Sequence, residues 1–216
     1  MRRFDPYGRE SRATLSKERQ MPEMTAFAGK AAGVVSFIAF VPYLIAIFRG
    51  TTKPNPASWW IWTIVSVLLM ASYWSSGAEH TKWVPISYMV GPLITAIISL
   101  KYGIGGWTKF DRLCLIGAVG SLIPWLLSQS SLPTLFINLF IDFLGLLPTL
   151  RKVLQDTEGE DRFAWSLFTA GNVLNLAAID RFEAGIIAYP LYMFLASGSI
   201  FFLLMFRQRK TPSHTS

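Results

Sequence analysis

The chain has 216 residues, of which 52% are hydrophobic and only 15% are charged, and its formal net charge is +7. A typical soluble domain carries about 25% charged residues, so this composition excludes a disordered or fibrous chain and argues against a soluble one. The single cysteine, Cys114, excludes an intramolecular disulfide, and one Cys with two His leaves no dedicated Cys/His metal cluster.

Long uncharged runs separate the charged residues. A helix needs about 20 residues to cross about 30 Å of hydrocarbon, whereas barrel strands run about ten residues and alternate in polarity. The runs therefore predict an all-α membrane protein. Between Arg112 and Arg151 the only charge is Asp142, and this stretch is long enough for two spans joined near residues 128–133. The seven predicted spans are 31–48, 57–76, 83–102, 112–128, 132–151, 163–180 and 184–206.

Basic residues favour one orientation of these spans. The loops after spans 1, 3 and 5 and the C-terminal tail carry eleven Lys or Arg, whereas the loops on the other side carry only Lys82 and Arg181. Basic residues in short loops stay in the cytoplasm, so we predict a cell-membrane protein with a cytoplasmic C-terminus and an outside N-terminus. The basic N-terminal segment, with Lys30 beside the first span, argues the other way. We assign the positive charge to the membrane surface rather than to nucleic acid.

The chain repeats itself at an offset of 106 residues. Residues 36–101 align with 142–207 without a gap, and the identical pairs include Pro42 with Pro148 and Trp59 with Trp165. Each repeat holds three spans, so the fourth span restores the direction and makes the halves parallel, which is an established transporter plan. Residues 1–30 are expected to form a flexible basic tail rather than a signal peptide, because they lack an apolar core. The predicted segments are the tail 1–30, a first three-helix bundle 31–102, a linker helix 103–131, a second three-helix bundle 132–207 and a C-terminal tail 208–216.

The motifs around the two prolines carry a family resemblance. Pro42-Tyr43 and Pro148-Thr149 lie late in the first span of each repeat, and a basic loop containing Thr (49–53, 151–157) and then a Trp follow each pair. This pattern resembles the SWEET and PQ-loop superfamily, which includes the SemiSWEETs and places a Pro-Gln or Pro-Thr pair at this position. Tyr43 departs from that pair.

The resemblance implies a 3+1+3 fold and a multi-pass transporter or facilitator for a small polar metabolite of the sugar, amino-acid or vitamin class. It also implies alternating access between the two bundles, with Pro42 and Pro148 as hinges. Sugar carriers of the family place an Asn in the third helix of each bundle, and neither 83–102 nor 184–206 contains one, which counts against a sugar.

Polar side chains near mid-membrane are the candidate substrate ligands. Asp142 lies about 13 Å and Asn172 about 15 Å from the arginines at the ends of their spans, at 1.5 Å per residue. Asn138 and Asn175 share a helix face with them at i,i+4 and i,i+3 spacing. Polar groups at this depth are costly and mark substrate or proton sites, although interhelical hydrogen bonding is the alternative. With two hydroxyls from the first repeat, the predicted site is Ser36, Ser66, Asn138, Asp142, Asn172 and Asn175.

Asp142 has two open chemical roles. It either carries a proton, or stays charged and prefers a substrate bearing a hydroxyl or a cation. Trp59, Trp60, Trp62 and Trp165 lie near the predicted cytoplasmic boundary and are expected to anchor in the interfacial belt.

The sequence contains no phosphate-binding glycine loop and no Ser-His-Asp set at a common depth, so we predict no enzyme, no metal and no cofactor. The expected partners are a small-molecule substrate and the lipid bilayer. The alternative function is a non-transporting receptor or scaffold on the same fold, with the polar residues sealed against each other. The substrate, proton coupling, the oligomeric state (including a homo-oligomer) and the role of the N-terminal tail are left open.

Overall fold

The computed structural model describes residues 7–75, 79–128, 130–155 and 159–207, and all regular secondary structure within these ranges is helical. The all-α prediction is therefore confirmed. The predicted tail 208–216, the first six residues and Thr157 of the second motif lie outside the described residues. The helices are α1 (Tyr7–Phe48), α2 (Pro56–Ser75), α3 (Trp83–Ser87), α4 (Gly91–Tyr102), α5 (Lys109–Gly120), α6 (Leu122–Leu127), α7 (Ser131–Gln155), α8 (Arg162–Ala177) and α9 (Ala184–Arg207).

Helix α1 begins well before the first predicted span. It starts at Tyr7, so residues 7–30 are helical where the sequence predicted a flexible tail. Most of these residues are strong helix formers such as Ala, Glu, Arg, Lys and Met. Their polarity predicts a position outside the hydrocarbon, but it does not prevent a helix from continuing past the membrane surface.

Five helical stretches are long and apolar enough to cross a membrane, judged by length and composition: Glu23–Phe48, Trp83–Tyr102, Lys109–Leu127, Leu132–Gln155 and Ala184–Phe206. Helix α2 adds a shorter apolar helix over Pro56–Met70. Helix α8 has 16 residues, about 24 Å at 1.5 Å per residue, and Asn172 and Asn175 make it less apolar. The long helices indicate a membrane protein, and crossing by α2 and α8 stays a prediction.

Two of the predicted spans are interrupted by prolines. Residues 83–102 divide into α3 and α4, with residues 88–90 between them. Pro92, in the first turn of α4, has no N–H to donate to the carbonyl of Tyr88 four residues earlier, so one helical hydrogen bond is missing where α3 gives way to α4. Residues 112–128 divide at Ser121, and Pro124 similarly leaves the carbonyl of Gly120 without a helical donor.

Two pairs of helices make the most extensive contacts in the bundle: α1 with α8, and α2 with α7. Helix α9 packs against α7 and α8, while α3 and α4 pack against α1 and α2. Helices α5 and α6 lie outside α2 and α7, and only 17% of the most apolar window of Lys109–Leu127 is buried. This outer surface suits contact with lipid.

Helices α2 and α8 begin with matching caps. The Oδ1 atom of Asn55 accepts a hydrogen bond from the backbone N–H of Ser58 at 3.3 Å, and Oδ1 of Asp161 accepts one from Ala164 at 2.7 Å. An N-cap side chain satisfies one of the amide donors that a helix leaves free in its first turn. Asn55 and Asp161 are 106 residues apart, which is the offset of the sequence repeat.

Candidate functional site

A cavity of about 70 Å³ lies in the centre of the helix bundle. One water needs about 10–15 Å³, so the cavity has room for a small organic group. Along α2 it extends from Trp59 to Leu69, about 15 Å at the helical rise. Both sequence repeats contribute to its wall, which consists of Phe40, Trp59, Trp62, Val65, Ser66, Leu69, Pro85, Tyr88, Pro92, Asp142, Leu146, Trp165, Phe168, Tyr189, Met193, Ala196 and Ser197.

Asp142 supplies the carboxylate of this wall. Its side chain is buried, and Oδ2 accepts a 2.6 Å hydrogen bond from the hydroxyl of Tyr192 on α9. The indole N–H of Trp62 donates to the backbone carbonyl of Asp142 at 3.3 Å. The first contact ties the carboxyl group to α9, and the second ties the backbone of α7 at Asp142 to α2.

A closed circuit of five aromatic rings surrounds part of the cavity. Neighbouring ring centroids lie 6.1 Å apart for Phe40 and Trp59, 5.0 Å for Trp59 and Trp62, and 6.3 Å for Trp62 and Trp165. The circuit closes through Phe168, which lies 5.5 Å from Trp165 and 4.9 Å from Phe40. Edge-to-face pairs of this kind add to stability beyond the area that they bury. We call these five residues the aromatic circuit.

The tryptophans of the aromatic circuit have a different role from the one predicted from the sequence. Trp59, Trp62 and Trp165 were expected to anchor in the interfacial belt, yet Trp59 and Trp165 are only 3% and 5% exposed. The belt assignment is therefore wrong for these two, because their indoles face the interior. Their position in the repeat was the one sequence feature that indicated an interior role, since Trp59 aligns with Trp165 and Trp62 aligns with Phe168.

Of the six predicted ligands, Ser66 and Asp142 lie on the cavity wall. Ser66 donates to the carbonyl of Thr63 at 2.9 Å, so its acceptor lone pairs remain available. Ser66 belongs to the first repeat and Asp142 to the second.

The other four predicted ligands are buried beside the cavity rather than on its wall. Asn172 Nδ2 donates to Ser197 Oγ at 3.1 Å and lies 3.5 Å from the hydroxyl of Tyr88, and both of these partners line the cavity. Asn138 donates to the carbonyl of Leu68 at 3.3 Å. A substrate role for these amides stays a prediction.

Ser36 and Asn175 are completely buried. Ser36 packs against Gly171, where a Cβ atom would overlap its hydroxyl oxygen, so this glycine permits the close approach of α1 and α8. Neither amide atom of Asn175 has a hydrogen-bond partner among the described residues. A buried unsatisfied amide costs stability, and no hydrogen bond among the described residues compensates for the burial of Asn175.

A buried polar cluster, which we call the Glu160 cluster, lies at the end of the bundle where α1 and α7 finish. Glu160 is 3% exposed. Its Oε2 atom accepts hydrogen bonds from the Tyr43 hydroxyl at 2.8 Å and from Trp165 Nε1 at 2.9 Å. Its Oε1 atom pairs with Lys152 Nζ at 2.5 Å, and this ammonium also donates to the carbonyl of Lys53. The cluster joins the two halves directly beside the cavity, because Trp165 belongs to both.

The Glu160 cluster was not predicted, because it has little signature in the sequence. Tyr43 stands where the resembled superfamily has Gln or Thr, and in the sequence Glu160 is one acid in a loop. The one available signal was an acid directly before the second helix of a repeat whose first copy has Pro54 at that position.

Pro42 and Pro148 lie inside α1 and α7, and both helices continue through them. In each case the following residue contacts the other half. Tyr43 belongs to the Glu160 cluster, and Thr149 donates to Ser58 Oγ from both its hydroxyl, at 2.8 Å, and its backbone N–H, at 3.1 Å. The prolines therefore precede the contacts between the halves, and their role as hinges stays a prediction.

The described residues contain no group of three or more His, Cys, Asp or Glu that could hold a metal ion. No family model, curated protein or solved structure matches this chain. Function is therefore inferred from the geometry of the cavity and of the contacts around it.

Proposed function

We propose that this protein is a multi-pass membrane transporter or facilitator for a small polar metabolite, and not an enzyme. The observation that carries the proposal is the central cavity, whose wall combines apolar side chains from both repeats with the Asp142 carboxyl group. A concave, mostly apolar site with a few placed polar groups is typical of small-molecule binding. In a bundle of membrane helices, such a site at mid-depth suits a carried substrate.

The 3+1+3 arrangement of the resembled family is part of this proposal. A twofold relation between the repeats would pair α1 with α8 and, equivalently, α7 with α2, and these are the most extensive helix contacts. It would also bring some residues against their own equivalents. The backbone N–H of Lys53 donates to the carbonyl of Gly159 at 3.0 Å, and these residues are 106 apart. Both observations support two three-helix bundles related by an axis near this contact.

Alternating access would require the contacts between the two halves at the Glu160 end of the cavity to separate. The Glu160 cluster and the Thr149–Ser58 pair each join the first half to the second. We propose that they form the closed gate, and that bending at Pro42 and Pro148 opens it. Substrate would then leave the cavity past Trp165, which lies between the cavity and Glu160.

The second candidate function is a non-transporting receptor or scaffold. That function predicts polar residues sealed against each other, without a cavity between the halves. The hydrogen bonds of Asn138 and Asn172 fit it, but a carboxyl group on the wall of an open volume does not. We therefore favour transport.

We further propose that the protein resides in the cell membrane with the Glu160 cluster at the cytoplasmic side. The loops at this end and the C-terminal tail carry eleven of the basic residues, against two in the loops at the other end. This orientation makes the Glu160 cluster a cytoplasmic gate.

Uptake by vesicles that contain the purified protein tests the proposed function. The vesicles are screened with labelled amino acids, vitamins, sugars and organic cations, and empty vesicles set the background. Ala196 lines the cavity, so Ala196→Phe should fill it and abolish the uptake found in the screen. The matched control is Ala184→Phe, at the exposed start of α9, which should retain uptake. Uptake that Ala196→Phe leaves unchanged would contradict transport through this cavity.

A further inference from the structure

We propose that the central cavity binds a small organic monocation, with its charge near the Asp142 carboxylate and its alkyl groups against the aromatic circuit. This inference names the substrate class of the transporter and, for transport, rests on the proposed function. The binding step can be tested independently of it.

The charge argument begins with what faces Asp142. Among the described residues, no Lys, Arg or His lines the cavity, and no ion pair includes Asp142. Its close polar contacts are with the neutral side chains of Tyr192 and Trp62. A buried carboxylate without a cation is costly, and a bound cation would remove that cost. The same carboxylate would repel an anionic ligand.

The aromatic circuit supplies the other part of the proposed site. The faces of Trp, Tyr and Phe attract cations electrostatically, with Trp the strongest, and aromatic cages are the usual receptors for alkylated ammonium groups. Seven aromatic side chains of the described residues line the cavity, and three of them are Trp. Alkylated ammonium groups also need little hydrogen bonding, which suits a mostly apolar wall.

The hydrogen-bonding capacity of the wall argues against a sugar. The Ser66 and Ser197 hydroxyls already donate to the carbonyls of Thr63 and Met193. Each hydroxyl of a buried sugar would need a partner, and groups left unpaired would lower its affinity. We therefore expect the cavity to discriminate by charge and alkyl surface rather than by a pattern of hydroxyls.

Calorimetric titration of the purified, detergent-solubilised protein tests binding with two ligands of equal shape. One is choline, and the other is the neutral alcohol in which a quaternary carbon replaces the charged nitrogen of choline. We expect choline to bind at least about tenfold more tightly, because only it gains from the carboxylate and the ring faces. Equal affinity for the two ligands, or no binding of choline, would overturn the proposal.

Two variants locate the site. Asp142→Asn keeps the shape and removes the charge, and it should weaken choline binding by about tenfold or more, whereas Asp180→Asn, in the loop before α9, should not. Phe168→Leu should weaken it by about threefold to thirtyfold, the value of one cation–π contact, and Phe206→Leu on the exposed face of α9 should not. Unchanged affinity in folded Asp142→Asn would exclude the charge assignment, and if that variant does not fold, Phe168→Leu and the two ligands still decide.

The two proposals can fail separately. If vesicles take up a neutral metabolite through the cavity and choline does not bind, transport stands and the monocation proposal is wrong. If choline binds with the expected dependence on Asp142 but no compound is taken up, the site assignment stands and the transport proposal is wrong.

Discussion

The hydroxyl of Tyr43 donates a 2.8 Å hydrogen bond to the Glu160 carboxylate, although 117 residues separate the two in the chain. Tyr43 follows the proline of the first half, and Glu160 precedes the second helix of the second half. Tyr43, which stands where the resembled superfamily has Gln or Thr, therefore reaches across the bundle. At the equivalent position Thr149 reaches Ser58 instead, so each half holds the other through the residue after its proline.

The Lys152–Glu160 pair should contribute strongly to stability. Its side chains are 11% and 0% exposed, so Lys152→Met leaves a buried carboxylate without its cation. We expect the free energy of unfolding in detergent to fall by about 3–5 kcal/mol, and adding Glu160→Gln to recover part of the loss. The exposed Arg181–Glu183 pair is the control, since Arg181→Met should cost no more than about 1 kcal/mol. Equal effects of the two single variants would contradict the importance of the Glu160 cluster.

The Tyr43 hydroxyl should matter on its own. Tyr43→Phe removes one hydrogen bond to a charged acceptor and leaves the ring in place, so we expect a loss of about 1.5–3 kcal/mol in unfolding free energy. Tyr102 is 39% exposed, and Tyr102→Phe is the matched control with little expected effect. Denaturant titration of both variants measures the difference, and a Tyr43→Phe variant as stable as the control would show that the bond is dispensable.

Gly171 should be intolerant of a side chain. The Cβ atom of Gly171→Ala would overlap Ser36 Oγ, so we expect a destabilisation of about 1–3 kcal/mol from overpacking. Ser36→Gly in the same chain should relieve part of this loss. A Cβ atom added at Gly120 would meet nothing within 4 Å, so Gly120→Ala should be harmless. Thermal unfolding of the three variants checks the prediction, which fails if Gly171→Ala melts with the parent protein.

Pro42 and Pro148 should affect rates more than stability. Pro42→Ala or Pro148→Ala restores a backbone N–H to the helix, which should stiffen it and slow vesicle uptake severalfold while the protein stays folded. Pro190→Ala, inside α9, is the matched control and should leave the rate unchanged. If both hinge variants take up substrate as fast as the parent protein, the two prolines only kink their helices and are not hinges.

The orientation is testable with reporter fusions. A reporter after Ser216 should be cytoplasmic, and one inserted in the loop at 128–132 should lie outside, as should one on the N-terminus. The basic residues before the first span make the N-terminal reporter the decisive one. A cytoplasmic N-terminus together with a cytoplasmic C-terminus would exclude seven spans.

The sequence by itself determined the helical class, the long membrane segments and the offset of the repeat. Charge spacing and hydropathy are local properties, and a 20-residue apolar segment can satisfy its backbone in a membrane only as a helix. The burial of the Asp142 and Ser66 side chains could also be predicted from sequence, because a polar residue deep in an apolar span faces the interior of the bundle rather than lipid. The capping residues Asn55 and Asp161 also act locally, since each accepts a hydrogen bond from a backbone amide three residues later.

Only the tertiary structure decided which side chains form the cavity and which contacts close it. Trp59 and Trp165 have the sequence signature of interfacial residues, and the same signature fits a Trp that faces a neighbouring helix. Their orientation depends on how α1, α2 and α8 pack. Glu160 is a loop acid until the fold brings Tyr43 and Lys152 to it. Contacts between residues more than a hundred positions apart depend on helix packing, because no local pattern in the chain records which faces of two distant helices will meet.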